Sequence, residues 1–439
     1  MRRDALAELL KNPQASDREE LLRYAVLDKS FSSQDRSSAL NALAKINPQA
    51  AESVLRKILH ESPRGAFTPT ACLFIGQHNF KSLEADLLLL ISENRPLLPG
   101  EDPPQSRLAA LEALDSLNPD LTLPAVLQRY LLTDSPDAAL KAELWGEYVA
   151  SVGTEKAQKW LQRINPPLGM MHDLKQAASD LGVIPHSLDE ILWLETLLQE
   201  EQSTWQKWNS LLHSSAVKSS GVIALHNLPS LEFASASSAH YTDLPREKLA
   251  GILHDRLENR QHEDPQKSPL PTMETVLRGC NVPSALPRIE LITVLTIDDS
   301  LRRSDIRNDL FTQLKADFAD ESSEYGGLLI FRQTGENKTP VPAVVPFPAA
   351  KGSSLGDVAF RPPGSMIRES YTALVQYHFH AQARNNADYA GPGRGDLRYA
   401  VRTGFACIVL TPVGSHRLNV DYFSRLADGR LCVIDLGML

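Results

Sequence analysis

Two histidines in the last third of the chain have a spacing that suits metal binding. His378 lies near the end of the apolar run YTALVQYHF, which predicts a β-strand over 371–379, and His380 follows that run directly. Because side chains alternate along a strand, both imidazoles would face the same side, a few ångströms apart. Such a pair could bind Zn²⁺ through nitrogen. Two histidines on an exposed face without a metal are the alternative.

Asp396 is the candidate third ligand. It follows the glycine-rich loop 389–395 (YAGPGRG) and begins a predicted helix over 396–403. Two histidines and one carboxylate that leave the fourth position open form the ligand set of a catalytic zinc site. Zinc in such a site lowers the pKa of its water toward neutrality. Two alternatives stay open: Asp396 could serve only as a helix cap, and Asp388 could be the third ligand in its place.

A zinc-dependent hydrolase also needs a general base, and Glu324 is the candidate. It precedes two glycines and the apolar run 328–331, which predicts a strand, so its carboxylate would lie at a strand edge. The glycines would allow neighbouring backbone to approach closely. Glu321 is an alternative base that lies farther from this strand. Glu369, on the chain leading into the histidine strand, could support or replace a ligand.

Together these pieces resemble the JAMM (JAB/MPN) metalloproteases, in which a glutamate near a Gly-Leu strand is followed by HxHP and then by SxxD. The resemblance covers residues 288–439 and implies a mixed α/β, cytidine-deaminase-like fold. It implies that His378, His380 and Asp396 bind Zn²⁺. It also implies that Glu324 is the general acid/base. Many members cleave isopeptide bonds to ubiquitin or ubiquitin-like proteins, so the resemblance predicts a zinc peptidase or isopeptidase with a protein substrate, a ubiquitin-like protein among the candidates.

Three features depart from the family pattern. Gly393 stands where the family has a serine that stabilises the developing oxyanion, and loss of one such donor costs about 10²–10³ in rate. Ala381 replaces the proline after the second histidine, and the loop of 15 residues between His380 and Asp396 is longer than usual. The residues that could replace the missing donor, support the ligands or contact substrate are Asn385, Asn386, Ser415, Asp388 and Gly393. The alternative function is therefore a weak or inactive JAMM-like domain that acts as a protein-binding scaffold.

The first half of the chain is predicted to be a helical array. In residues 37–59, two apolar stripes at helical spacing are separated by Asn47-Pro48. Residues 110–119 repeat the pattern of 39–48 at an offset of 71 (110 minus 39), which suggests two helix pairs of about 36 residues each. This pattern resembles HEAT-like α-solenoids, whose stacked units present a concave surface to a protein partner. A non-repetitive all-helical domain is the alternative.

These patterns divide the chain into a helical repeat domain over 1–213, a connector with some helix over 214–287, and the mixed α/β domain over 288–439. In the last part, strands are predicted over 289–297, 328–331, 371–379, 405–411, 417–422 and 431–436, and helices over 304–318 and 396–403. The proline-rich stretch 339–365 is either an irregular loop or a segment that folds over the substrate.

Composition excludes several classes of protein. With 439 residues, 42% of them hydrophobic and 23% charged, the chain is predicted to be globular and multidomain. A net charge of −9 without a basic stripe argues against nucleic-acid binding. Four scattered cysteines without a CxxC pair indicate a reducing compartment. Neither a secretory signal nor an apolar run near 20 residues is found, so we expect a soluble cytoplasmic protein without membrane contact.

The negative charge is not evenly spread along the chain. Residues 288–439 contain 17 basic and 17 acidic side chains, so the whole excess of −9 lies in residues 1–287. If the protein binds a charged partner, we expect the helical part to select it.

Overall fold

A computed structural model describes residues 2–11, 17–98, 100–133, 137–213, 222–237, 240–263, 276–277, 282–320, 324–334, 339–347, 360–414 and 416–439. The chain divides into two compact units. The first comprises Met1–Pro96 with Glu101–Ser151, and the second comprises Leu97–Gly100 with Val152–Leu439. Among the described residues, no helix combines the length and the apolar character needed to cross a membrane.

The first unit is helical throughout the elements described in it. Its helices are α1 (Arg2–Lys11), α2 (Arg18–Leu27), α3 (Ser33–Ile46), α4 (Pro48–Glu61), α5 (Thr68–Gln77), α6 (Glu84–Glu93), α7 (Gln105–Leu117), α8 (Leu123–Leu131) and α9 (Ala138–Val152), with a 3₁₀ turn at Lys81–Leu83. The all-helical character predicted for this region is confirmed. The stacking of these helices as HEAT-like repeats stays a prediction.

The predicted helix–turn–helix over 37–59 is confirmed as α3 and α4. Asn47 lies between them, and its side-chain oxygen accepts a hydrogen bond from the backbone N–H of Ala50, which caps α4. Pro48 occupies the first position of α4, where a missing N–H leaves no hydrogen bond unmade. The apolar stripe that predicted α3 is buried at Leu40 and Leu43. Local capping and a buried stripe therefore explain this pair.

Helices also form the first half of the second unit. They are α10 (Thr154–Arg163), α11 (Met170–Asp180), α12 (Leu188–Gln199), α13 (Gln202–Leu212), α14 (Asn227–Ala236), α15 (Arg246–Glu258), α16 (Val282–Ala285), α17 (Arg288–Leu301) and α18 (Ser304–Asp317). The predicted boundaries at 213 and 287 both lie inside this unit. They do so because helices on either side of these positions pack together, α13 against α14 and α14 against α17 among them.

The prediction of a strand over 289–297 is wrong, because all of these residues lie within the helix α17. Every residue from Ile289 to Ile297 is buried. A helix that is surrounded by protein on all sides has no polar face, so its sequence loses the 3.6-residue period and reads like a buried strand. The β-branched residues in IELITVLTI strengthened that misleading pattern.

One mixed sheet is formed by the seven strands of the described residues. They are β1 (Val276–Leu277), β2 (Gly326–Thr334), β3 (Thr339–Phe347), β4 (Val375–Phe379), β5 (Cys407–Pro412), β6 (Leu418–Arg425) and β7 (Leu431–Met438). Their order is β1-β7-β6-β5-β4-β2-β3. The pairs β1–β7 and β4–β5 are parallel and the others antiparallel. The strands predicted over 328–331, 405–411, 417–422 and 431–436 are confirmed as β2, β5, β6 and β7 with small differences in their ends, and the one over 371–379 is shortened to β4.

The proline-rich stretch is in part a strand, which the sequence did not suggest. Residues 339–347 form β3 at the edge of the sheet, paired with β2 along its whole length. Pro342 lies two positions after Pro340, and Pro346 lies four positions after Pro342. Because backbone N–H groups alternate sides along a strand, the nitrogens of all three point to the outer side, where the hydrogen bonds with β2 need no N–H. The outer edge of β3 therefore lacks most of the donors that another strand would need.

The sheet separates two layers of helices. On one face, Tyr377 of β4 donates a hydrogen bond to Gln313 of α18 (2.6 Å) and Tyr422 of β6 donates one to Glu290 of α17 (2.5 Å). His378, the neighbour of Tyr377, points to the opposite face. That face is covered by α20 (Arg394–Thr403), which packs on β6. The short helix α19 (Gly364–Glu369) and a 3₁₀ turn at Ser370–Thr372 precede β4.

Candidate metal centre

The pairing of β2 with β4 places the candidate base beside the two histidines. Gly326 pairs with His378, and the N–H of Phe379 donates to the backbone oxygen of Tyr325 (3.0 Å). Continuing this antiparallel register by two residues sets Glu324 opposite His380. Because side chains alternate, the Glu324 carboxylate and both imidazoles lie on the same face of the sheet.

His378, His380 and Asp396 converge at one point. The Nε2 atoms of the two histidines are 3.3 Å apart. His378 Nε2 lies 3.3 Å from Oδ1 of Asp396, and His380 Nε2 lies 3.4 Å from its Oδ2. One ligand atom from each residue lies within 4.8 Å of the others, so this group could hold a metal ion. The three residues that the sequence nominated as ligands are therefore brought together.

These separations fit a tetrahedral zinc ion. Ligands about 2.0–2.1 Å from Zn²⁺ in tetrahedral geometry are separated from one another by about 3.3 Å. Two imidazole nitrogens at this distance with a carboxylate beside them also form a donor set that zinc prefers. The residues present therefore fit zinc in both geometry and chemistry.

The electrostatics of the group show how strongly the carboxylate and the imidazoles interact. Burial opposes a charge on His380, but the hydrogen bond and the charge of Asp396, together with the charge of Glu324, raise the pKa of His380 above its usual value. Burial likewise disfavours the charged form of Asp396, but His378 and His380 outweigh it and hold the pKa of that carboxyl well below its usual range. The Asp396 carboxylate is therefore ionised, as a metal ligand must be.

Asp396 also has the second role that the sequence left open. It is the third residue of α20, and its Oδ2 accepts a hydrogen bond from the backbone N–H of Gly393 (2.7 Å). This bond caps the helix and fixes the carboxylate toward the histidines. Capping and ligation are thus compatible in one side chain, because the two oxygens can serve different partners.

Glu324 is held by residues of the loop that follows His380. Its side chain is only 2% exposed, and its Oε1 accepts a hydrogen bond from Gln382 Nε2 (2.9 Å). Asn386 Nδ2 in turn donates to Gln382 Oε1 (2.7 Å) and to the backbone oxygen of His380 (3.0 Å). The sequence nominated Asn386 but missed Gln382. The only signal for Gln382 was its position two residues after the second histidine.

The two glycines after Glu324 are required by close contacts on both faces of β2. A Cβ on Gly326 would lie 2.5 Å from the Phe360 ring, and one on Gly327 would lie 2.3 Å from the backbone oxygen of Val345. The ring of Phe360 stacks on that of His378 with centroids 5.8 Å apart and planes within 3°. Gly326 therefore makes room for the aromatic ring that supports the first histidine.

The other nominated residues lie around this centre or outside it. Asp388 is in a 3₁₀ turn at Ala387–Tyr389 and does not belong to the group that could hold a metal. Asn385 and Glu369 are exposed. Glu321 and Ser415 fall outside the described residues. Among the described residues, His378, His380 and Asp396 form the only group of three or more histidine, cysteine or acidic side chains with that convergence.

A cavity of about 890 Å³ opens above the centre. Its walls include Glu324, the three candidate ligands, Phe360, Gln382, Tyr389 and Tyr399, and three arginines. A cavity of this size accommodates a short stretch of peptide or a small molecule.

Comparisons of the chain with protein-family models, with curated proteins and with solved structures find no match. The functional interpretation of the chain therefore depends on the residues of the candidate metal centre and on their geometry.

Proposed function

We propose that the second unit is a zinc-dependent peptidase or isopeptidase of JAMM type, which hydrolyses an amide bond in a protein substrate. The observation that carries the proposal is the convergence of His378, His380 and Asp396 at zinc-ligand spacing, with Glu324 on the same face of the sheet. A ubiquitin-like protein is a candidate substrate because of the resemblance to that family.

In this proposal each residue has a distinct task. His378, His380 and Asp396 would hold the ion, which supplies Lewis acidity toward a water molecule and toward the scissile carbonyl oxygen. Glu324 accepts a proton from the attacking water at a carboxylate oxygen as the carbon–oxygen bond forms. It then delivers that proton to the leaving nitrogen as the carbon–nitrogen bond breaks. Gln382 holds the carboxylate in place through its hydrogen bond.

The helical first unit would bind a protein partner or the substrate protein in this proposal. A second candidate function is a JAMM-like domain that binds proteins without turnover. The observation in its favour is Gly393, which offers no hydroxyl where the family has a serine. A Cβ at this position would have Asp396 Oδ2 at 3.5 Å as its nearest neighbour, an ordinary contact, so a serine fits there.

The test compares wild type with Glu324→Gln and His378→Ala for bound zinc and for hydrolysis of ubiquitin-like fusions and isopeptide-linked substrates. We expect Glu324→Gln to keep stoichiometric zinc and to lose about 10²–10⁴ in rate, since general acid–base catalysis contributes that much. We expect His378→Ala to lose both zinc and activity.

The outcomes separate the two candidates. Absence of zinc from the wild type would rule out the zinc-dependent peptidase. Zinc without turnover of any substrate would favour the binding scaffold, and activity gained by Gly393→Ser would then show that only the missing hydroxyl prevents catalysis. An active Glu324→Gln variant would show that another group is the base.

A further inference from the structure

One wall of the cavity above the candidate metal centre is formed by the glycine-rich loop that leads into α20. The loop contributes Tyr389, Gly391, Gly393 and Gly395 to the cavity lining. Every second residue therefore faces the cavity, which is the pattern of an extended chain. Three of these four residues are glycines. Tyr389 is consequently the one residue of the four with a side chain that can donate a hydrogen bond.

Tyr389 is held beside the second candidate ligand. The imidazole of His380 donates a hydrogen bond to the backbone oxygen of Tyr389. The N–H of Tyr389 donates to the backbone oxygen of Asn386 (2.9 Å). The side chain of Asn386 donates to the backbone oxygen of His380 (3.0 Å), and its N–H donates to that of Pro412 in β5 (2.9 Å). These bonds fix the position of the Tyr389 backbone relative to the metal centre.

The phenol of Tyr389 is accessible to a substrate. Tyr389 is 52% exposed although it lines the cavity. No hydrogen bond of its hydroxyl is seen within the part of the chain that the structure describes. A hydroxyl in this state can donate its hydrogen to a group that enters the cavity.

The residues that the sequence nominated to replace the missing serine are less suited to the task. Asn386 has two amide hydrogens, and both are donated, one to His380 and one to Gln382. Asn385 is exposed and lies outside the cavity lining. Ser415 falls outside the described residues.

We infer that the Tyr389 hydroxyl donates the hydrogen bond that the family takes from a serine, to the scissile carbonyl oxygen as that oxygen gains negative charge. The inference rests on the proposed function, because it needs an amide that is hydrolysed at this centre. Tyrosine side chains are among the donors that form oxyanion holes. Tyr389 is then a catalytic residue, and the glycine at position 393 does not make the site inactive.

The first test removes the hydroxyl and keeps the ring. With a ubiquitin-like fusion as substrate, Tyr389→Phe should lower kcat by about 10²–10³, the usual cost of losing one such donor, and change KM by less than about twofold. Bound zinc should stay stoichiometric, since no ligand is altered. Tyr24→Phe is the matched control and should keep the wild-type kcat. Tyr24, in α2, is 58% exposed and lies outside the cavity lining.

A second substitution tests what Tyr389→Phe removes. Gly393→Ser supplies a hydroxyl at the position of the family's serine. Added to Tyr389→Phe, it should raise kcat at least about tenfold, because one donor to the oxyanion replaces another. If kcat did not recover, Tyr389→Phe would act by another route than the loss of a hydroxyl donor.

Binding of an inert analogue to the zinc-loaded full chain gives a readout that does not depend on turnover. A phosphinate peptide carries a tetrahedral, negatively charged group where the substrate has its scissile amide, so it resembles the transition state. Tyr389→Phe should weaken binding of this peptide at least about tenfold. The matching amide peptide, measured with Glu324→Gln present so that it stays uncleaved, should bind equally well with and without Tyr389→Phe.

Three results would overturn the inference. They are an unchanged kcat in Tyr389→Phe, a loss confined to KM, and an equal loss of affinity for the phosphinate and the amide peptide. Zinc content and hydrolysis by the wild type are measured separately. A wild type that lacks zinc or does not hydrolyse would reject the proposed function and the inference with it. Hydrolysis that Tyr389→Phe leaves unchanged would reject the inference alone.

Discussion

Gln382 connects the candidate base to the loop that follows the second histidine. Its amide nitrogen donates to Glu324, and its amide oxygen accepts from Asn386, which also donates to the backbone of His380. An amide held at both ends in this way has a fixed orientation. We therefore assign Gln382 the task of positioning the Glu324 carboxylate relative to the imidazoles.

Replacement of Gln382 by Ala should lower kcat by about tenfold, because a hydrogen bond to a charged group contributes about 1.5–3 kcal/mol and part of that is recovered from water. Bound zinc should stay stoichiometric, since none of the three ligands is touched. The measurement is kcat and KM with a cleavable substrate. When Glu324 is already replaced by Gln, Gln382→Ala should not lower kcat further. A tenfold loss of kcat in that background would contradict the inference that Gln382 acts through Glu324.

At the scale of secondary structure, the contact of β2 with Phe360 is what supports the first histidine. Gly326→Ala would place a methyl group 2.5 Å from the Phe360 ring and 2.6 Å from the backbone oxygen of Tyr377. We expect this variant to be destabilised by about 1–3 kcal/mol, the usual cost of overpacking. Thermal unfolding in the presence of a chelator measures this loss of stability without a contribution from bound zinc.

The matched control is the same replacement in a place with room. A Cβ on Gly251, in α15, would meet nothing within 4 Å. Because alanine favours a helix over glycine by about 1 kcal/mol, Gly251→Ala should raise the unfolding temperature. If both variants were equally stable, the close packing of β2 would not be the reason for Gly326.

The parts of the site that follow from local rules could be predicted from the sequence. The alternation of a strand set His378 and His380 on one face, and a glycine-rich loop before a helix placed Asp396. The parts that depend on tertiary surroundings could not. Burial on all sides disguised α17 as a strand, and the even spacing of prolines in β3 has meaning only at a sheet edge. Gln382 acquires its role only when the loop folds back onto Glu324.

At the scale of the second unit, helices and sheet are joined by a buried carboxylate. Glu290 of α17 is 1% exposed and accepts four hydrogen bonds. At Oε1 the donors are Tyr422 (2.5 Å) and Ser424 (2.7 Å) of β6. At Oε2 they are Asn227 (2.7 Å), the first residue of α14, and the ring of His226 (3.1 Å). One side chain thus ties together two helices and the sheet whose other face carries the candidate metal centre.

This arrangement should make the stability of the unit sensitive to acid. Burial by itself raises the pKa of Glu290, but His226 and the hydrogen bonds of Tyr422 and Asn227 outweigh it and lower the pKa to about 2 from 4.5. Above pH 4.5 the carboxylate is ionised in both folded and unfolded chains, so its contribution is fully present. Between pH 4.5 and 2 the unfolded chain takes up the proton first, and about 3 kcal/mol of stability should be lost.

Denaturant unfolding at a series of pH values, with a chelator present so that zinc release does not contribute, measures this loss. Glu290→Gln should be less stable than wild type at pH 7 by a few kcal/mol, because the amide cannot accept all four bonds. It should also lose less stability than wild type between pH 4.5 and 2, since the titrating group is gone. Glu247→Gln, at an exposed position of α15, should follow the wild-type curve. If the free energy of unfolding fell equally steeply with pH in Glu290→Gln and in wild type, the acid sensitivity would come from other groups.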